Sequence, residues 1–202
     1  MTDARKRVAI VGSALAGGAA QIIDALEGST ELVPIAIYDS DARAVGQAVL
    51  GVPVRGSSDE VVAAFRRGEL DAAVVGIGTL AIREAVFDGL RAGGVPTCNV
   101  IDRAAIVSRS AMLGTGNVVL ATVYLGPEVT LGDNCYLVTG TRINHHTKIG
   151  DHCYFASGVT ISGRVQIGAR VRFDLMSAAA TDAIVPEGTI VAAGTIFAAR
   201  PR

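Results

Sequence analysis

Residues 123–173 read VYLGPEVTLGDNCYLVTGTRINHHTKIGDHCYFASGVTISGRVQIGARVRF, and every sixth residue of this stretch, counted from Leu125, is large and apolar. The register extends from residue 101 to residue 197, where 16 of 17 positions carry Val, Ile, Leu or Phe and only Ala179 departs. The residue two places before each of these positions, beginning with Val123, is small or β-branched. A period of six fits neither a helix nor a hairpin sheet. It predicts a parallel β-helix in which three hexads, about 18 residues, form one triangular coil.

Successive coils of such a prism lie about 4.8 Å apart, so residues 18 apart are expected to stack as ladders. This places Cys135 under Cys153 and Phe155 under Phe173. The large apolar residues are expected to fill the prism corners, and the small ones its inner faces. Ala179 predicts a local distortion. The cysteines are interpreted as small core residues rather than as nucleophiles or ligands.

The first hundred residues have a different pattern, in which predicted strands alternate with predicted helices. The predicted strands are residues 8–12, 33–39 and 72–78. The predicted helices cover residues 19–26, 42–50 and 59–67, the last with Ser58 as N-cap, and a fourth runs to Arg91. This order indicates a small parallel sheet covered by helices. The sequence therefore predicts two domains, residues 1–100 and residues 101–202.

Composition excludes several classes of protein. Half of the 202 residues are apolar, which excludes disorder. Lys and Arg number 18 against 19 Asp and Glu, which excludes binding to nucleic acid by bulk charge. No run of about 18 uncharged apolar residues exists, so no membrane span is predicted. Three cysteines do not form a disulfide framework, and a reduced, cytoplasmic protein is expected.

The hexad ladder and four segments resemble the NeuD/PglD-type sugar acetyltransferases: VLGVPVRG (49–56), VVGIGTLAIR (74–83), VPTCNVIDRAAIVS (95–108) and INHHTKIGDHCYFASGVTISGRVQIG (143–168). The resemblance implies an α/β Rossmann-like N-terminal domain, which binds a sugar nucleotide, followed by a left-handed parallel β-helix. It implies an acetyl-CoA-dependent N-acetyltransferase without a metal. The acceptor would be the amino group of a nucleotide-linked sugar of the 4-amino-4,6-dideoxy type. It also implies a homotrimer with active sites between subunits.

The three histidines, His145, His146 and His152, fall within eight residues. Hexad phase puts the first two at an outward turn, where a neutral imidazole can act as a general base. The resemblance assigns this role to His145, whose family motif continues with an acid. Here that place is taken by His146, which completes the predicted catalytic pair. Asp151 is a possible substitute for the missing carboxylate.

The resemblance also assigns acetyl-CoA contacts. Tyr154 aligns with a histidine that meets the acetyl group, although an exposed ladder with Tyr136 is an equal alternative. Gly163 aligns with a glycine whose N–H donates a hydrogen bond to the thioester carbonyl. The alternative interpretation of Gly163 is an ordinary turn glycine. Leu175 and Ala193 align with the wall that binds CoA. Asp174, where the family has glycine, is expected to alter that wall.

A glycine turn after the first strand offers backbone N–H groups to an anion. The substrate site that the resemblance implies lies at this turn and after the next two strands. Its predicted members are Gly12, Ser13, Ala14, Leu15, Ala16, Asp39, Asp41, Gly78, Thr79 and Arg83. For Arg83 the alternative is an ordinary exposed helix residue.

Three alternatives remain at this stage. A close variant acetylates a sugar hydroxyl, as in sialic-acid O-acetylation. A zinc enzyme of the γ-carbonic anhydrase type uses the same β-helix and three histidines, but the spacing here departs from that pattern. A non-catalytic sugar-nucleotide-binding β-helix protein would account for the altered motifs.

Overall fold

The computed structural model describes residues 4–12 and 14–198. The chain divides into two compact units, Met1–Val100 and Ile101–Arg202. This boundary coincides with the change of sequence period.

The first unit is built on one sheet with strand order β3-β4-β2-β1-β5. All neighbours in it are parallel except the β3–β4 pair. Its elements are β1 Lys6–Val11, α1 Gly18–Leu26, β2 Leu32–Tyr38, β3 Ala48–Val49, β4 Val52–Gly56, a 3-10 turn Ser58–Glu60, α2 Val61–Arg66, β5 Ala72–Val75 and α3 Leu80–Ala92. Because β1 lies between β2 and β5, the loops that follow these three strands meet at one edge of the sheet. None of the helices in the described ranges is long and apolar enough to cross a membrane.

The helix predicted over residues 42–50 is wrong. Ala48 and Val49 instead pair with Pro53 and Val52 in a β-hairpin. The two turn residues, Leu50 and Gly51, have φ values of +46° and +83°. Positive φ at both central residues is the turn geometry that suits the twist of a two-residue hairpin. The N-cap also differs from the prediction, because Ser57 rather than Ser58 forms a capping box with Glu60.

The second unit consists of strands of two residues each. They are β6 Val100–Ile101, β7 Ile106–Val107, β8 Met112–Leu113, β9 Val118–Val119, β10 Tyr124–Leu125, β11 Thr130–Leu131, β12 Tyr136–Leu137, β13 Arg142–Ile143, β14 Lys148–Ile149, β15 Tyr154–Phe155, β16 Thr160–Ile161, β17 Gln166–Ile167, β18 Arg172–Phe173, β19 Ala178–Ala179, β20 Ile184–Val185, β21 Ile190–Val191 and β22 Ile196–Phe197. They stack in three parallel sheets, each linking every third strand. Short parallel strands in this arrangement fit a left-handed β-helix.

The hexad residues form the core of the prism. From Val119 to Val191, each is at most 5% exposed. Each is the second residue of a strand, so it points inward from a face, and the expectation that it fills a corner is wrong. The small residues stand just before the strands, and from Val123 to Ala183 each is at most 1% exposed. The predicted ladders are confirmed: Phe155 pairs with Phe173, with ring centroids 5.5 Å apart, and Cys135 and Cys153 are buried.

The predicted distortion at Ala179 is wrong. Its strand pairs in regular register with β16 below and β22 above. Backbone hydrogen bonds set this register, so a shorter side chain does not disturb it.

Each turn between strands is short, and its second residue repeatedly has positive φ. One edge of the prism is the histidine corner, defined as the turn residues 127–128, 145–146, 163–164 and 181–182. Its second residues have φ between +57° and +63°: Glu128, His146, Arg164 and Asp182. Backbone bonds join the turns, from His146 N–H to the Pro127 carbonyl (2.9 Å) and from Arg164 N–H to the His145 carbonyl (2.9 Å). Side chains at equal turn positions are therefore aligned along this corner.

Candidate active site

The imidazole of His145 lies over Gly163, the equivalent residue one coil further on. A Cβ at Gly163 would stand 2.6 Å from Cε1 and 2.7 Å from Nε2 of that ring. The φ of Gly163 is not in the left-handed region, so this turn does not need glycine for its backbone conformation. Glycine instead leaves room for the imidazole. The structure thus brings together the predicted base and the predicted oxyanion donor.

His145 begins a chain of three polar side chains at the histidine corner. Its Nδ1 lies 3.0 Å from Nδ1 of His146, and the two rings are nearly perpendicular. Nε2 of His146 lies 3.1 Å from Oε2 of Glu128. His145 and His146 are both exposed, as predicted from hexad phase. A carboxylate therefore reaches the histidine pair, although it is not adjacent in the sequence.

Sequence reasoning missed Glu128. The signal was available, because Glu128 precedes His146 by 18 residues, the length of one coil. Both residues occupy the second turn position, and their φ values are +57° and +60°. The ladder rule that aligned the cysteines would have aligned this pair as well.

Asp151 is not the carboxylate that serves this pair. It lies at the next corner of the prism, where its Oδ1 accepts the backbone N–H of Asp133 at 2.7 Å. His152 also departs from the histidine cluster, because it is only 9% exposed and its Nδ1 lies 2.9 Å from Nδ2 of Asn134. These two residues organise the turns of their own corner.

Tyr154 lies in β15, on a face of the prism, within a stacked ladder. Its ring centroid lies 5.7 Å from that of Tyr136, in register, and Cζ of Arg172 lies 4.6 Å from the Tyr154 ring centroid. The ladder with Tyr136 is therefore present, but Tyr136 is buried and Tyr154 is only partly exposed. A cation over an aromatic face is attractive, so Arg172 stabilises this stack.

Leu175 and Ala193 lie on a different corner from His145. They occupy equivalent exposed turns one coil apart, joined by a bond from Gly194 N–H to the Leu175 carbonyl (2.9 Å). Asp174 accepts a hydrogen bond from Nε of Arg172 at 2.6 Å. The acidic charge expected to disturb this wall is thus balanced by a cation. Within one chain, the structure does not bring Leu175 or Ala193 together with His145.

In the first unit, Asp39 holds the loop that follows β1. Its Oδ2 accepts the N–H of Ala14 at 2.7 Å, and its Oδ1 accepts the N–H of Asp41 at 2.9 Å. Asp41 is paired with Arg43, whose hydrogen bonds lower the pKa of this carboxyl to about 2. Gly12 has a φ of +83°, and a Cβ there would meet Ile77 at 2.3 Å. Only glycine fits this turn without displacing Ile77.

The remaining residues of the predicted substrate site are distributed around this edge. Leu15 and Ala16 are exposed in the loop before α1, and Gly78 and Thr79 follow β5. Ser13 lies outside the described residues. Helix α1 begins after Gly17, and no side chain caps it.

Arg83 is buried rather than exposed, which corrects the alternative interpretation. Its Nη1 donates to the carbonyls of Val75 and Ile77. The guanidinium thus supports the loop after β5 from beneath.

Within residues 4–12 and 14–198, no group of three or more His, Cys, Asp or Glu side chains is arranged to hold a metal ion. The three cysteines are free thiols. Burial raises the pKa of the Cys98 thiol to about 11.

No model of a known protein family matches the sequence, and no curated protein is significantly similar to it. Solved structures do match. GDP-perosamine N-acetyltransferase from Caulobacter crescentus, crystallised as a histidine-to-alanine variant with CoA and GDP-perosamine, is 28% identical. The match covers 94% of this chain and 90% of that chain, with a TM-score of 0.70. PerB from the same species, with the same two ligands, is 29% identical over the same shares, with a TM-score of 0.67.

The chain thus resembles, in fold and in sequence, solved sugar N-acetyltransferases, in agreement with the family resemblance that its motifs indicate. It is an acyltransferase, as predicted, which disfavours the zinc enzyme and the non-catalytic binder. The acetyltransferase domain of PglB from Neisseria gonorrhoeae FA1090, solved with acetyl coenzyme A, also matches. It is 21% identical, and the match covers 96% of this chain and 93% of that chain, with a TM-score of 0.68. At this low identity, the PglB domain shows only that the two proteins share a fold. The presence of CoA in the two Caulobacter structures agrees with the predicted donor.

Proposed function

We propose that this acetyltransferase transfers the acetyl group of acetyl-CoA to the amino group of a nucleotide-linked 4-amino-4,6-dideoxy sugar. The observation that carries the proposal is the placement of the His145 imidazole directly over Gly163. It occurs in a fold whose relatives at 28–29% identity hold CoA and GDP-perosamine. A GDP-linked amino sugar is therefore the first acceptor to test.

The reaction needs one base and no covalent enzyme intermediate. The amine nitrogen attacks the thioester carbonyl carbon, forming the C–N bond, while Nε2 of His145 takes the proton from that nitrogen. The C–S bond then breaks, and the thiolate of CoA leaves. The imidazolium returns its proton to this thiolate. A neutral amide, free CoA and a neutral histidine result.

The developing negative charge on the carbonyl oxygen requires a donor. We assign this role to the backbone N–H of Gly163, which lies beside the proposed base. A fixed donor of this kind typically contributes on the order of 10²-fold to the rate.

We assign nucleotide binding to the first unit, as a Rossmann-like domain. Three loops support this role: the turn at Gly12, the segment from Asp39 to Asp41, and the segment from Gly78 to Thr79. They follow adjacent parallel strands, and in open α/β sheets ligands bind at the carboxyl ends of the strands. Asp39 organises the loop through Ala14, and the uncapped start of α1 offers N–H groups to a phosphate.

We further propose a homotrimer with active sites between subunits. His145 lies on one corner of the prism, whereas Leu175 and Ala193 lie on another. A CoA molecule that contacts both sets of residues would have to lie between two copies of the β-helix. A cytoplasmic location remains a prediction from the three free cysteines.

The test is a panel of GDP-, UDP- and dTDP-linked 4-amino sugars incubated with acetyl-CoA. Release of the CoA thiol and the mass of the sugar product are both measured. N-acetylation of one member is the expected result. If every amino sugar is inert while a sugar hydroxyl is acetylated, the protein is an O-acetyltransferase and the proposed acceptor is wrong.

A further inference from the structure

We propose that Glu128 is a positioning residue for acetyl transfer and acts on His145 through His146. The inference rests on the function proposed above. It concerns a carboxylate that comes from the preceding coil of the β-helix rather than from the position next to the base.

The geometry fixes the direction of each hydrogen bond. A carboxylate only accepts, so Nε2 of His146, 3.1 Å from Glu128, carries the proton that it donates. In the neutral ring, Nδ1 of His146 is then the acceptor for the Nδ1–H of His145, 3.0 Å away. Nε2 of His145 is left without a proton. This is the nitrogen that a general base needs, and it is the one that faces Gly163.

The same chain responds to the charge that forms during the reaction. When Nε2 of His145 takes a proton, the imidazole pair becomes a cation. Glu128 places a negative charge at the far end of the pair, so it stabilises that cation more than the neutral ground state. An interaction that strengthens only in the transition state raises kcat and leaves KM unchanged.

This arrangement compensates for a departure in the sequence. In the family that this chain resembles, an acid directly follows the catalytic histidine, whereas His146 stands there. The coil repeat supplies the acid instead, because Glu128 is 18 residues before His146. Glu128 is held by its backbone N–H, which donates to Oγ of Ser110 at 3.1 Å.

Few other charges act on the pair. Arg164 follows His146 one coil further on, but it is engaged by Asp182, with Nε 2.7 Å from Oδ1. Arg142 and Lys148 lie on the strands flanking the turn and are exposed. Glu128 is the carboxylate that the structure brings against the histidine pair.

The first test needs no substrate. Because the chain has only three histidines, long-range 1H–15N NMR of histidine-labelled protein can resolve each tautomer. The wild type is expected to show His146 as the Nε2–H form and His145 as the Nδ1–H form. In Glu128→Ala, His146 should become a mixture of tautomers. Unchanged tautomers in Glu128→Ala would overturn the proposal.

The second test is kinetic. Glu128→Gln should lower kcat about fivefold, the size expected of an exposed charge pair, without changing KM for either substrate. In a His146→Asp background, which restores an acid next to His145, Glu128→Gln should have no effect. Equal losses in both backgrounds would contradict action through His146. Glu187→Gln removes an equally accessible carboxylate, paired with Arg170 at another corner, and should leave kcat unchanged.

The two tests separate this inference from the proposed function. If acetyl transfer is observed but the tautomers do not depend on Glu128, the positioning role is wrong and the function stands. If the tautomers depend on Glu128 but no amino sugar is acetylated, the proton chain stands and the proposed acceptor is wrong.

Discussion

Replacing Gly163 by alanine tests the placement of the His145 ring. The new Cβ would stand 2.6 Å from Cε1, 2.7 Å from Nε2 and 3.2 Å from Nδ1 of the imidazole. Carbon atoms in ordinary contact are about 3.5–4.0 Å apart, so the ring must withdraw by about 1 Å. The backbone N–H of residue 163 is retained, and its φ suits any L-residue. The substitution therefore displaces the proposed base without removing the proposed oxyanion donor.

A displacement of about 1 Å at a reacting group costs on the order of 10²-fold in rate. We therefore expect kcat/KM of Gly163→Ala to fall about 100-fold, or about 2.7 kcal/mol. The free energy of unfolding should fall by no more than about 1 kcal/mol, because the imidazole is exposed and can swing into solvent.

The assay is steady-state release of CoA, with thermal unfolding measured on the same samples. In a His145→Ala background, Gly163→Ala should have no effect on the free energy of unfolding, because the ring it meets is gone. Gly89→Ala is the control, since a Cβ there meets nothing within 4 Å. If Gly163→Ala keeps kcat/KM within about twofold of the wild type, the ring over Gly163 is not the base.

Three further predictions concern the first unit. Asp39→Ala removes the acceptor for the N–H groups of Ala14 and Asp41. The free energy of unfolding should fall by about 1–2 kcal/mol in thermal unfolding, and KM for the sugar nucleotide should rise. An unchanged KM would contradict the proposed substrate site. Hydrogen bonds from Arg7 lower the pKa of Asp71 to about 2. The pair therefore stabilises the fold fully above the unfolded pKa of about 3.9, and this stabilisation is lost as the pH falls toward 2. The free energy of unfolding of Asp71→Asn should therefore fall less steeply with decreasing pH than that of the wild type, by at most about 1 kcal/mol, because both side chains are about 40% exposed. A decrease as large as that of the wild type would refute the pairing. Because the pKa of Cys98 is about 11, only about one thiol in 10³ is ionised at pH 8. A thiol reagent should therefore modify it over a hundredfold more slowly in the native than in the unfolded protein, and equal rates would contradict the raised pKa.

The β-helix could be predicted from sequence because its repeat acts on every coil. The hexad residues from Val119 to Val191 are buried without exception, and the ladder from Phe155 to Phe173 follows from the 18-residue coil. The errors arose where side-chain size was used to infer backbone geometry. Ala179 predicted a distortion, but the hydrogen bonds of its strand keep the register regular.

The hairpin at residues 48–53 could not be predicted in the same way. Residues 42–50 are rich in alanine and valine and have a spacing compatible with a helix. The deciding feature is the positive φ of Leu50. Leucine rarely adopts that conformation, so the residue type gives no signal for it.

The candidate site was predicted in part. Hexad phase placed His145 and His146 at an exposed turn, but it did not identify their partners. The sequence offered Asp151 only as a possible substitute for the missing carboxylate and could not place it, whereas Glu128 is near in space through the coil repeat. The role of Gly163 also needed coordinates, because only the position of the His145 ring distinguishes it from an ordinary turn glycine.

The most direct test of the central claim is kcat of His145→Ala, measured with the best acceptor of the amino-sugar panel at saturating acetyl-CoA. Loss of a general base typically lowers the rate by about 10²–10⁴-fold. We predict a loss in that range with little change in the affinity for acetyl-CoA. A kcat equal to that of the wild type would contradict the account.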